Sequence, residues 1–175
     1  VKKQEKKLRK GPALRVQIAK DVIAQLNAKR FTAAPGVYLH SRSLSEACDA
    51  NPQAAANREN IGKCSVCALG AVFVAVAERH NHISVRDAIF GSSNMLVDYI
   101  DNRVGFGRGQ MRLMECAFER CTLGSGAVTR KDAIAAVAFA SKAIAASRAV
   151  RQSDAEKIMR AIMRNVIANN GTFKP

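Results

Sequence analysis

The stretch GKCSVCALGAVFVAVAERHNH, Gly62 to His82, decides how this chain folds. It holds Cys64 and Cys67 in C-x2-C spacing, with His80 and His82 downstream. Read for metal ligands, it approaches a Cys2His2 finger. The pattern fails at its last step, because the two histidines stand two positions apart where a finger needs about three to five. Read for hydropathy, Val66 to Ala77 contains nothing but apolar residues and Gly70. One helix through that run would put His80 about 20 Å along the axis from Cys67. A single Zn²⁺ with bonds of about 2.1–2.3 Å cannot bridge that distance. The helix is the better reading, so no metal site is expected, and Cys64 falls at the exposed start of that helix. A helix apolar on every side belongs at the centre of a bundle.

The rest of the chain supplies helices to surround it. Gly11–Pro12 is a break followed by a helix start, and Leu14, Ile18, Val22 and Leu26 then recur on one face. Pro35–Gly36 is turn chemistry, and Val37 to Leu39 is a short extended patch. Residues 41–62 read as a long polar loop with a short helix near Leu44 to Cys48. Ser84 with Asp87 signals another helix start. Met95, Leu96, Tyr99 and Ile100 form a helical stripe, followed by a Gly-rich loop from Asp101 to Gly109. Met111, Met114, Phe118 and Cys121 share the face of the next helix. Thr129 with Asp132 and Ser153 with Glu156 are capping signals for the last two helices. Asn169–Asn170–Gly171 is a stop signal.

The expected fold is therefore all-α: a compact bundle of about six or seven helices around a central apolar helix, with at most one small β-hairpin near Tyr38. Residues 1–11 read as a flexible basic arm and residues 12–175 as one all-α domain. Five cysteines, an odd number without regular spacing, suggest reduced thiols used as small hydrophobes, Cys116 and Cys121 among them. The start VKKQEKKLRK has charge but no apolar run after it, so no secretory signal is expected. The longest apolar run would span about 18 Å as a helix, too short for a bilayer. A cytoplasmic location without membrane insertion is the expectation.

Charge argues about partners. The 28 Lys and Arg against 14 Asp and Glu leave a net charge of +14. Lys2, Lys3, Lys6, Lys7, Arg9 and Lys10 form an arm suited to nucleic acid. Gly105, Gly107 and Gly109 precede a helix start, where backbone N–H groups and the charges of Arg103 and Arg108 could meet phosphate. Neither a phosphate-binding P-loop nor a dinucleotide fingerprint is spelled there. Lys157, Arg160 and Arg164 make a basic ridge on the last helix, with Arg148 and Arg151 upstream. Each of these features also has an ordinary reading, respectively a solubilising tail, a connector and a solvated helix face. Catalysis lacks a visible set of acid, base and nucleophile: His40, His80 and His82 are scattered or adjacent. Asp98 and Asp101 alone are too few for a Mg²⁺ site. No catalytic residue and no cofactor is expected.

The motifs DVIAQLN (Asp21–Asn27), GVYL (Gly36–Leu39), CSVCALGA (Cys64–Ala71) and NNGTFKP (Asn169–Pro175) resemble those of a group of small proteins of phage and bacterial genomes. The resemblance implies a phage origin and attaches no activity or site residues. Its positions are mostly apolar, which suits a shared core. The functional expectation from the residues is non-enzymatic binding of a polyanion, DNA or RNA, weakly sequence-specific and with little base stacking. The alternative is a phage-type protein–protein module, a host-enzyme inhibitor or particle component, that binds an acidic protein surface.

Overall fold

The computed structural model describes residues 10–36, 64–80, 93–122, 126–147 and 152–175. Lys2, Lys3, Lys6, Lys7, Arg9, Arg148, Arg151, the patch at Tyr38, segment 41–62 and the Ser84 cap lie outside the described residues. Six helices and one small sheet are described: α1 Pro12–Asn27, β1 Phe31–Ala33, β2 Cys64–Val66, α2 Ala68–His80, α3 Ser93–Val104, α4 Arg108–Glu119, α5 Arg130–Ala146 and α6 Asp154–Ala168. The fold is mostly α, as the periodicity implies.

Helix α2 is the centre. Every described residue from Ala68 to Val76 is buried, with Leu69, Ala71, Val72 and Val76 at 0 % exposure. It packs against α1, α3, α4 and both strands. Burying a side chain the size of Val, Leu or Phe contributes roughly 1.5–3 kcal/mol, so this one helix organises much of the core. Because α2 runs unbroken from Ala68 to His80, the positions of Cys67 and His80 fall at its opposite ends.

Two boundaries differ from the sequence expectation. The described β element is a parallel pair, Phe31 against Cys64 and Ala33 against Val66, whereas the patch near Tyr38, where a hairpin is expected, lies outside the described residues. A parallel pair needs a connection of at least about a dozen residues, so local turn signals cannot announce it. Cys64 accordingly sits in a strand, and the helix begins four residues later at Ala68. Similarly, α3 continues to Val104 and α4 begins at Arg108, so the Gly-rich loop shrinks to residues 105–107. Cys121 lies beyond α4, which ends at Arg120 in a left-handed conformation, φ 53°.

The capping signals at Thr129 and Ser153 hold. Thr129 Oγ1 accepts a hydrogen bond from the Asp132 N–H at 3.2 Å, and Ser153 Oγ accepts one from the Glu156 N–H at 3.2 Å. Such caps satisfy donors that a helix start leaves unpaired.

One side chain joins three distant pieces of chain. Arg15 on α1 donates from Nε to the Gly171 carbonyl at 2.7 Å and from Nη1 to the Gly105 carbonyl at 2.8 Å. Its guanidinium also lies over Phe106, 5.9 Å from the ring centroid. The chain end after α6 folds back: the Phe173 N–H donates to Gln110 Oε1 at 2.7 Å, and Lys174 exchanges two hydrogen bonds with Asn165. The NNGTFKP motif is thus a docking element with buried Phe173 as its anchor. Gly171 adopts φ +83°, and an added Cβ would sit 2.7 Å from the Pro12 carbonyl oxygen. Gly36 also has a positive φ, +74°, but open space around it.

Gly171→Ala should therefore cost more than Gly36→Ala, for which only the backbone strain of roughly 1–2 kcal/mol applies. Urea unfolding tests this. The Gly171 variant should show the larger fall in midpoint at unchanged m-value; equal shifts would mean that the contact with Pro12 is not tight.

Candidate polyanion-binding groove

Helices α5 and α6 pack on each other and leave an open groove of about 610 Å³ beside their contact. Its lining repeats at helical spacing on both sides. Phe139, Lys142, Ala143 and Ala146 come from α5; Lys157, Arg160, Ala161, Arg164, Asn165 and Ala168 come from α6. Ser147 and Gln152 complete it. The reason for the groove is side-chain size. Ala143, Ala146, Ala161 and Ala168 stand where longer side chains would fill the space between two helices. Elsewhere on α5 the alanines do the opposite: Ala133, Ala136 and Ala140 are fully buried, and α5 packs closely on α4.

Four cations and no carboxylate appear among the described lining residues. Three of the four, Lys157, Arg160 and Arg164, are the ridge expected from the sequence. The structure brings them together and adds Lys142, which no sequence motif singles out.

The four do not stand alike. Arg160 is no solvent-facing ridge residue: it is 8 % exposed. It donates to Glu156 Oε1 from Nε at 2.9 Å and from Nη2 at 2.6 Å, and to Asn27 Oδ1 from Nη1 at 2.7 Å. The guanidinium is thus fixed in place and ties α6 to the end of α1. Its charge is largely balanced by Glu156. Lys157 lies 3.4 Å from Asp154, with its side chain mostly covered. Lys142 and Arg164 are exposed and have no carboxylate partner among the described residues. They supply the groove's uncompensated charge.

Arg103 and Arg108 do not join it. Arg108 pairs with Asp98 at 2.5 Å, and Arg103 lies 5.6 Å from the Tyr99 ring centroid. Neither lines the groove. The Gly-rich corner is spent on structure, since the Gly105 carbonyl holds Arg15 and the Lys10 side chain packs beside Gly105. Asp98 is likewise occupied by Arg108, which removes it from any acidic pair with Asp101.

Thiol chemistry gains little from the described cysteines. Burial pushes the Cys67 thiol up to about 12, outweighing hydrogen bonds from the Gly70 and Leu69 backbone. Burial also raises Cys116, with Cys121 and Glu115 adding in the same direction. A nucleophile must be a thiolate, and burial opposes its formation at both positions. Among the described residues no three His, Cys, Asp or Glu side chains gather as a metal site, and no helix is long and apolar enough to cross a membrane.

No family model matches this chain, and neither the curated proteins nor the solved structures contain a significant match.

Two measurements check these assignments. Arg164→Ala should change stability by less than about 0.5 kcal/mol, as expected for an exposed side chain. Arg160→Ala should cost about 1–3 kcal/mol, because Glu156 and Asn27 lose their partner. Equal effects in thermal unfolding would contradict the structural role of Arg160. Labelling with a thiol reagent at neutral pH should leave Cys67 and Cys116 unmodified until denaturant is added. Rapid native labelling of either would contradict their burial.

Proposed function

We propose that this protein binds a polyanion, DNA or RNA, without catalysing a reaction, and that the groove between α5 and α6 is its main contact. The observation that carries this reading is the groove lining: Lys142, Lys157, Arg160 and Arg164, with no acidic residue among the described lining residues. The net charge of +14 supports it at long range, by drawing anions toward the surface. The arm of Lys2, Lys3, Lys6, Lys7, Arg9 and Lys10 would add phosphate contacts that are independent of sequence.

The geometry changes the distribution of roles within the earlier set. Lys142 and Arg164 become the primary phosphate contacts, because their charges are free of carboxylates among the described residues. Lys157 is secondary, and Arg160 serves as a fixed part of the wall. Arg103 and Arg108 contribute less, since Asp98 competes for Arg108 and Tyr99 engages Arg103.

Fluorescence anisotropy with labelled DNA and RNA tests the reading. For about three neutralised phosphates, affinity should fall roughly 40-fold between about 50 and 200 mM salt. Lys142→Ala and Arg164→Ala should each weaken binding and lower the salt slope by about 1. Removal of residues 1–9 should lower the slope further. Absence of binding at low salt would overturn the proposal and favour an acidic protein surface as the partner.

A further inference from the structure

We infer that the groove selects single-stranded nucleic acid, seating an unpaired base on its floor while its rim holds the phosphates. This rests on the polyanion reading above and narrows it. The groove combines two kinds of surface. Its cations, Lys142, Lys157 and Arg164, share one lining with the apolar side chains of Phe139, Ala143, Ala146, Ala161 and Ala168. A ligand that is charge alone would satisfy the first and leave the second wet. A ligand with a flat apolar body next to each negative charge would cover both.

An unpaired nucleotide has that construction. In a duplex the bases face one another inside the stack, and the outer surface is a convex ridge of phosphate. Such a ridge can touch Lys142 and Arg164 but cannot bring an apolar face to the floor between two helices. A single strand turns its bases outward freely, and every base has a π-face that packs on an aromatic or alkyl surface.

Phe139 is the one aromatic side chain among the described lining residues, and it is only partly buried. It is also held firmly. Phe173 packs against it edge-to-face, with centroids 5.2 Å apart and rings at 83°. Phe173 is in turn fixed by the Gln110 hydrogen bond and by the fold-back after α6. A ring held this way is a preformed platform, which spares a bound base the cost of ordering it. The spacing is compatible: Lys157 and Arg164 are seven residues apart on α6, about 10 Å along the axis, and flank the alanine floor.

The test compares four probes at equal anionic charge and low salt: a labelled single-stranded oligonucleotide (DNA and RNA versions), its blunt duplex, inorganic polyphosphate, and an acidic polyglutamate peptide. The single strand should bind about tenfold or more tightly than the other three. Phe139→Leu should remove most of the single strand's advantage over polyphosphate. Ala146→Leu provides a second variant at an exposed position, where folding is not at risk; by filling the floor it should act in the same direction. Equal binding of all four probes overturns the inference and leaves the polyanion reading standing. A preference for the duplex or for polyglutamate overturns it as well. If none of the four binds, both the inference and the reading on which it rests fall.

Discussion

The structure depends on the need to keep water away from α2. A helix whose described side chains from Ala68 to Val76 are all buried has no face to offer to solvent. The elements beside it must therefore cover it completely, and α1, α3, α4 and the strand pair do so. Helix α5 packs chiefly on α4 and α6 and buries only Ala133, Ala136 and Ala140. At its margin the core no longer dictates side-chain size, and the alanines facing α6 leave a groove. The candidate site arises where the demand of the central helix ends.

The same logic explains the different fates of the basic residues. A cation near the core is tolerated only with partners, because burial removes its water. Arg15 holds two carbonyl groups, Arg79 pairs with Asp21 at 2.8 Å, and Arg160 has Glu156 and Asn27. These side chains serve the fold. Lys142 and Arg164 are exposed, with no carboxylate partner among the described residues. The cations named here thus divide into those that hold the bundle together and those that face outward.

Much of the fold was legible because its signals are local. The periodic stripe of α1, the caps at Thr129 and Ser153, and the stop at Asn169 to Gly171 act within one or two helical turns. The strand pair was not legible, since Phe31 and Cys64 are far apart in the chain and three residues carry no usable periodicity. The site was legible in part. Spacing revealed the stripe Lys157, Arg160, Arg164. It could not reveal the burial of Arg160, whose partner Asn27 is 133 residues away. Lys142 could have been found from the matching stripe Phe139, Lys142, Ala143, Ala146, but only by asking which side of α5 faces α6.

The most direct test of the account is to map an added single-stranded oligonucleotide onto the protein by methyl and amide chemical shifts. The account predicts that the largest changes fall on Phe139, Lys142, Ala143 and Ala146 of α5, and on Lys157, Ala161, Arg164 and Ala168 of α6. Changes centred instead on Arg103 to Arg108, with the α5–α6 methyls unmoved, would contradict it.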